Sequence, residues 1–199
     1  MTISKHVSLL PFNTFGIDVK TDYLIEYSSV EELSAILKSE LVTSSRLLHV
    51  GSGSNLLFLN DFDGVVLHSQ LKSIDLLTTD EQSVYVEVGA GVAWDDFVDF
   101  AVNKGWGGVE NLSLIPGETG AAAVQNIGAY GVEVQSVIDR VKTVEVESGE
   151  IREFSNAECE YGYRESIFKT MLKGKYIVTS VVFRLECVPT FTLDYQHLE

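Results

Sequence analysis

Residues 111–131 read Asn-Leu-Ser-Leu-Ile-Pro-Gly-Glu-Thr-Gly-Ala-Ala-Ala-Val-Gln-Asn-Ile-Gly-Ala-Tyr-Gly, with four glycines, a proline, a run of three alanines and one charge. Such a segment cannot wrap a core with large side chains. It brings main chain close to something, because glycine has no Cβ and tolerates positive φ. A second small-residue stretch, Gly51-Ser-Gly-Ser-Asn55, lies upstream. Together the two loops point to a large phosphorylated cofactor held mainly by main-chain groups.

The chain has 199 residues, enough for one large domain or two small ones. At 45% hydrophobic and 10% aromatic it can bury a real core. Its net charge of −15, with no basic run, excludes a nucleic-acid-binding surface built on clustered Lys and Arg. An anionic ligand must then be held by amides or by a few placed cations, and the chain has only five arginines. Cys159 and Cys187 stand alone, without a Cys-x-x-Cys pair or a Cys/His cluster, so neither a zinc site nor a disulfide scaffold is expected. The first residues lack the apolar core of a signal peptide, and no apolar run is long enough to span a membrane. A reducing cytoplasm fits this pattern.

The periodicity predicts a helix over Glu31–Lys38, capped by Ser28 or Ser29, with Leu33, Ile36 and Leu37 on one face. Leu47–Val50 and Val65–Leu67 read as short strands. Leu71–Leu77 reads as a strand followed by a turn at Thr78–Glu81, and Val84, Val86 and Val88 alternate as a half-buried strand. Trp94, Phe97, Val98 and Ala101 fall at helical spacing within 93–104, and the helix ends near Gly105. Residues 137–146 and 176–185 are valine-rich strand candidates. Strands dominate and helices are short, so the fold class is α+β. Regular strand–helix alternation, which a doubly wound sheet requires, is absent after the Trp94 helix. The chain divides into subdomains at 1–70 and 71–199.

Three segments carry the chemistry. Gly51, Ser52, Gly53, Ser54 and Asn55 follow a strand, and their N–H groups can form a concave anion nest; the alternative is a tight turn between strands. No Gly-Lys-Ser/Thr follows, so this is not a Walker loop. Leu56 stands where the third glycine of a Rossmann fingerprint would be. In the second segment Ile115-Pro116-Gly117 is a rigid turn, and 120–124 are small enough to lie against a flat ring. Gln125, Asn126 and Tyr130 are the polar groups available to read that ring or its substrate; the alternative is a structural crossing loop. The third segment is Tyr161-Gly-Tyr-Arg-Glu-Ser-Ile-Phe-Lys169. Arg164 beside Tyr163 suits an anionic planar group. Its alternative fate is a surface ion pair with Glu160 or Glu165.

Taken in order, Asn13-Thr-Phe-Gly16, Gly51-Ser-Gly-Ser-Asn55-Leu-Leu-Phe58, Pro116-Gly117, Gln125-Asn-Ile-Gly-Ala-Tyr-Gly131 and 161–169 resemble the motif series of the UDP-N-acetylenolpyruvoylglucosamine reductase family. The resemblance runs from Asn13 to about Tyr195. It implies a two-lobed FAD-binding module of the vanillyl-alcohol-oxidase type, which is not a Rossmann fold. It also implies NADPH-dependent reduction of a UDP-sugar enolpyruvyl ether in peptidoglycan synthesis, by a monomer with no nucleic-acid or membrane partner. On that resemblance the 51–55 loop holds the pyrophosphate. Ile115, Pro116, Gly117, Gly120, Ala121, Ala122, Gln125, Asn126 and Gly128 line the FAD. Tyr130, Tyr163 and Arg164 face the substrate, with Arg164 as the catalytic cation, and Tyr195 closes over the UDP part.

Two departures stand out. The run Gly120-Ala-Ala-Ala-Val124 lacks the serine that often donates to the flavin in this family, although a main-chain N–H can replace it. The family's substrate-domain serine and late glutamate have no counterpart up to Glu199, so the expected object is a truncated, catalytically incomplete fragment that still binds FAD. Two other readings stay open. A flavin oxidase of the same fold is disfavoured because His6, His49, His68 and His197 lie outside both small-residue loops. A flavin-storage module is favoured only by the missing catalytic groups.

Overall fold

The computed structural model describes residues 1–191. Tyr195, given a substrate role above, lies outside the described residues. Two β-sheets follow one another along the chain. The first contains β1 (Thr2–Ser8), β2 (Lys20–Tyr27), β3 (Leu47–Val50) and β4 (Phe62–Ser69), in the order β1-β2-β4-β3. β1 is antiparallel to β2, whereas β4 is parallel to both β2 and β3. Parallel neighbours need a crossover. Helices α1 (Val30–Leu37) and α2 (Glu40–Thr43) carry the chain from β2 to β3. From β3 to β4 the chain has no regular element, and residues 51–61 make the link. The Gly51 loop therefore leaves the carboxyl end of a parallel strand, the end at which open sheets offer a ligand crevice.

Local chemistry explains α1. The Ser29 hydroxyl accepts from the Glu32 N–H at 3.1 Å, and the Glu32 carboxylate accepts from the Ser28 N–H at 2.8 Å. These two bonds satisfy donors that a helix start leaves free. Leu33, Ile36 and Leu37 are buried against the first sheet, as their spacing predicts.

The second sheet is antiparallel throughout, in the order β10-β9-β11-β6-β5. Its strands are β5 (Ile74–Thr79), β6 (Ser83–Gly89), β9 (Ile138–Glu145), β10 (Ile151–Ser155) and β11 (Tyr176–Glu186). Central β11 is buried at seven consecutive positions, 177–183. Such a run signals cover on both faces. On one side Val181 and Phe183 join Trp94 and Phe97 of α3 (Trp94–Asn103) in the largest core. On the other, Ile177 and Val144 pack with α1 and the first sheet, so the two sheets share an apolar layer.

Several expectations change. Residues 111–131 are not one loop, because Thr119–Gln125 forms α4. Alanine has the best helix propensity, and the reading above weighed only its small size. A seven-residue helix is marginal alone, so α4 depends on packing against β11 and β6. The strand expected at Leu71–Leu77 is β5, shifted to 74–79. Its first residues bond elsewhere: the Leu71 carbonyl accepts from the Gly91 N–H at 3.0 Å and that of Ser73 from the Gly89 N–H at 2.9 Å. The turn moves with it to Asp80, whose carboxylate accepts from the Gln82 and Ser83 N–H groups. β1, β2 and β10 had no counterpart in the sequence reading. β10 buries one residue, Phe154, and so shows no alternation to detect.

Phe183→Ala should lower unfolding free energy by about 3–5 kcal/mol, because it opens a cavity under Trp94 and Phe97. Leu77→Ala on edge strand β5, where the side chain is 43% exposed, should stay within about 0.5 kcal/mol. Urea titrations of the two variants distinguish the buried strand from the edge.

Candidate functional site

The 51–55 loop owes its shape to a support under it. Gly53 has φ +69°, and a Cβ there would overlap the Phe12 carbonyl oxygen. The Phe12–Asn13 backbone is fixed in turn by Asn13. Its buried amide donates to the Leu9 and Ile17 carbonyls at 2.8 and 3.0 Å and accepts from the Ile17 N–H at 2.9 Å. Asn13 is thus a brace, and glycine at 53 is required by close approach of backbone to backbone.

Above this support the N–H groups of Ser52, Gly53, Ser54 and Asn55 meet no acceptor among the described residues. The Ser52 and Ser54 hydroxyls lie 3.3 Å apart, and Asn55 is exposed. Four consecutive donors left open by the protein beside a left-handed glycine can form a cradle for an anion. Such a donor set has the chemistry to hold a diphosphate.

The second segment reaches the loop through Glu118. A Cβ on Gly51 would lie 2.9 Å from the Glu118 Oε2, so this carboxylate rests against the Gly51 main chain. Main-chain bonds hold it there: Trp94 N–H to the Gly117 carbonyl at 3.0 Å, Thr119 N–H to Val92 at 2.9 Å and Gly120 N–H to Ala90 at 3.0 Å. Asp95 anchors the preceding turn by accepting from the Leu114 N–H at 2.7 Å and the Ser113 hydroxyl at 2.9 Å.

From Glu118, α4 runs about 10 Å at 1.5 Å per residue. Helical spacing splits the expected lining residues between two faces. Ala121 and Gln125, four apart on α4, are exposed and half-buried, as Gly117 just before the helix is half-buried, whereas Gly120 and Ala122 are covered by protein. Ala122 belongs to the core, and a Cβ on Gly120 would meet Ala90. Ile115 packs at the margin of the same core, and Pro116 is exposed.

Asn126 must also be corrected. It ends α4 in the left-handed conformation and is 0% exposed. Its amide donates to the Gly162 carbonyl at 2.8 Å and to Glu133 at 3.1 Å, and its oxygen accepts from the Gln135 N–H at 3.1 Å. Both of its N–H donors and its buried oxygen are engaged in joining three segments, which is the structural role the sequence reading did not give it. Gly128 is likewise covered, in a small hairpin of β7 (Gly128–Ala129) and β8 (Val132–Glu133).

Tyr130, at the tip of that hairpin, is half exposed with φ +49°. Arg164, also left-handed at φ +55°, donates to the Gly128 carbonyl and lies 5.8 Å from the Tyr163 ring centre. Among the described residues it forms no ion pair with Glu160 or Glu165. Tyr130, Tyr163 and Arg164 meet in a cleft of about 680 Å³. Lys169, quoted in the sequence but given no role there, adds a second cation: it donates to the Arg164 carbonyl at 2.8 Å and approaches Gln125 at 3.5 Å. A neighbouring cleft of about 730 Å³ shares Glu133 with it and carries Glu81, Glu110 and Glu186 against the single cation Arg184, which suits an anion poorly. The start of α4 thus touches the Gly51 loop through Glu118, and residues at its other end meet Lys169 and Arg164. Glu118, the one charge of the 111–131 segment, was given no role in the sequence reading, because its partner His68, at 3.1 Å, lies 50 residues away in the chain.

Residues 21–155 match the FAD binding domain family. The UDP-N-acetylenolpyruvoylglucosamine reductase of Bacteroides fragilis (strain ATCC 25285) is 52% identical over 193 residues; the match covers 97% of this chain and 58% of that protein. The chain therefore spans little more than half of that relative's length. The crystal structure of UDP-N-acetylenolpyruvylglucosamine reductase from Thermus caldophilus superposes with a TM-score of 0.74 at 26% identity, covering 93% of this chain and 62% of that one. Glucooligosaccharide oxidase from Acremonium strictum, whose FAD is 6-S-cysteinyl and 8α-N1-histidyl, shares the fold at TM-score 0.65 and 12% identity, over 92% of this chain and 40% of its own. The α+β fold of the vanillyl-alcohol-oxidase type expected above is the one observed.

Asn126→Ala strands the Gln135 N–H and the Gly162 carbonyl, each worth about 1–3 kcal/mol when left unsatisfied. Its thermal midpoint should fall by several degrees. Gln125→Ala, on the open face, should leave the midpoint nearly unchanged.

Proposed function

This chain belongs to the FAD binding domain family, and we propose that it is the flavin-holding part of a UDP-N-acetylenolpyruvoylglucosamine reductase, working with NADPH in peptidoglycan synthesis. The observation that carries the proposal is the row of unpaired N–H groups at 52–55, next to which Glu118 at the start of α4 rests on Gly51. On this reading residues 1–70 and 71–199 are two lobes, with the dinucleotide between the Gly51 loop and the open face of α4. Main-chain amides take the diphosphate, as an acidic chain with few cations requires. Gly117, Ala121 and Gln125 lie against the ring system. FAD, when bound, supplies the two-electron relay between NADPH and the enolpyruvyl double bond.

Arg164 is assigned the developing negative charge next to the substrate carboxylate. A guanidinium already fixed by the Gly128 carbonyl needs no reorganisation as that charge forms, so it favours the transition state over the ground state. Tyr130 and Tyr163 wall the substrate side of the cleft, and Lys169 holds the Arg164 main chain. The remaining acid–base groups are assigned to the part of the relatives that this chain does not span. Among the described residues no helix is long and apolar enough to cross a membrane, and no His/Cys/Asp/Glu group is arranged to hold a metal ion. We assign the protein to the cytoplasm, as a monomer.

The flavin is assigned as non-covalent. Cys159 is 0% exposed, and burial pushes its thiol up to about 11. His49 is bonded to Tyr27 at 2.8 Å and His68 to two carboxylates. Denaturation should release the flavin into the supernatant; yellow colour retained on the chain would favour the oxidase reading.

Titration with FAD, followed by the flavin's visible absorbance, tests the binding role. Ala121→Leu should abolish retention of flavin while changing stability by less than about 0.5 kcal/mol, because position 121 is exposed. Ala122→Leu should instead cost about 1–3 kcal/mol by overpacking the core. In the intact enzyme Arg164→Ala should keep FAD and slow flavin reoxidation by substrate about 100-fold or more. Stopped-flow traces at the parental rate would remove Arg164 from this role.

A further inference from the structure

The parallel register of β2, β4 and β3 places Glu26, His68 and Val50 in one row, immediately before Gly51. Two carboxylates flank the His68 imidazole there. Its Nδ1 lies 3.3 Å from Glu26 Oε1 and its Nε2 lies 3.1 Å from Glu118 Oε1. The side chains of His68 and Glu118 are only 10% and 12% exposed. Gln70 donates to the same Glu26 oxygen at 2.6 Å, and the Phe12 ring packs edge-on against the imidazole at 5.0 Å. Among the described residues no lysine or arginine pairs with either carboxylate. The other titratable groups facing the cluster are Tyr27 and His49. Burial drives the Tyr27 pKa up, and it drives His49 down to about 4 with help from the His68 charge, so both are neutral near pH 7. His68 is therefore the cation that can offset Glu118, whose other oxygen rests on Gly51 at the rim of the amide nest.

We propose that His68 is a positioning residue for the bound dinucleotide: as the imidazolium it holds Glu118 against Gly51 and neutralises that carboxylate where the diphosphate must sit. This rests on the reading that the 51–55 loop takes the diphosphate of FAD. A bare carboxylate at the rim would repel a diphosphate, and the low exposure of the pair leaves little water to screen the repulsion. Bound diphosphate favours the imidazolium in turn, so flavin uptake and proton uptake are linked. Burial opposes the charged imidazole, but the hydrogen bonds and charges of Glu118 and then Glu26 outweigh it and hold the His68 pKa above its ordinary value. The sign follows. Affinity is full below this raised pKa and falls as pH rises through it.

The test is a double-mutant cycle on the purified chain, with FAD dissociation constants read by quenching of flavin fluorescence between pH 6 and about pH 9, a range that brackets a raised histidine pKa. The parent should lose affinity as pH rises. His68→Asn should bind about tenfold more weakly at pH 6 and lose the pH dependence. Glu118→Gln should lose the pH dependence, its affinity changing little between pH 6 and about pH 9. The double variant should recover the affinity that His68→Asn loses, which a merely structural role of His68 does not permit. Circular dichroism melts confirm that each variant is folded. A Glu118→Gln variant with the parental pH slope, or a double variant as weak as His68→Asn, overturns the inference while leaving FAD binding intact. A folded parent that binds no FAD at any pH overturns instead the reading of the loop.

Discussion

The main-chain bonds tying residues 117–120 to residues 90–94 are the constraint on which the site depends. Trp94 and Gly117, Thr119 and Val92, and Gly120 and Ala90 are paired in succession, and the Ala90 N–H continues to the Thr179 carbonyl on β11. Through these bonds the central strand of the second sheet, the start of α3 and the start of α4 form one rigid corner. The corner aims Glu118 at the Gly51 loop, which belongs to the first sheet. A site spread over two sheets needs such a fixture, because a displacement of about 1 Å in a positioning element is enough to degrade its function.

Electrostatics follow from the same arrangement. A chain with net charge −15 must hold an anion without a basic surface. On the proposed reading it does so with main-chain donors, which carry no net charge and are fixed by backbone packing. Asn13 shows what that fixing requires, since all of its hydrogen bonds hold the backbone under Gly53. Formal charge gathers at two points among the described residues. Arg164 and Lys169 stand at the far end of α4, and the Glu26–His68–Glu118 row stands beside the nest. One end is built to attract negative charge; the other has to manage negative charge of its own.

Two residue types misled the reading of the small-residue segment in opposite directions. Alanines 121–123 suggested an open loop because they are small, yet alanine's helix propensity, with packing on β11 and β6, makes 119–125 a helix. The helix then sorts neighbours that looked equivalent, leaving Ala121 open and Ala122 in the core. Asn126 looked like a reader of a ring because it is polar and lies in a motif. Its left-handed backbone and three protein partners make it a joint between segments. No local pattern distinguishes a polar side chain that meets a ligand from one that meets backbone 36 residues away.

What the sequence alone determined was the set of parts: an α+β chain, the β6 alternation, the α1 and α3 faces, and the small-residue turn at Gly51 in an acidic protein. These are local properties, set by the spacing of apolar residues and by where only glycine or proline fits. Strands β1, β2 and β10, the facing of α4, the freedom of Arg164 from its acidic neighbours and the Glu26–His68–Glu118 row were decided by tertiary structure. Each depends on which residues a register or a packed corner brings together from distant parts of the chain. Pairing energy of that kind leaves no periodic trace in the sequence.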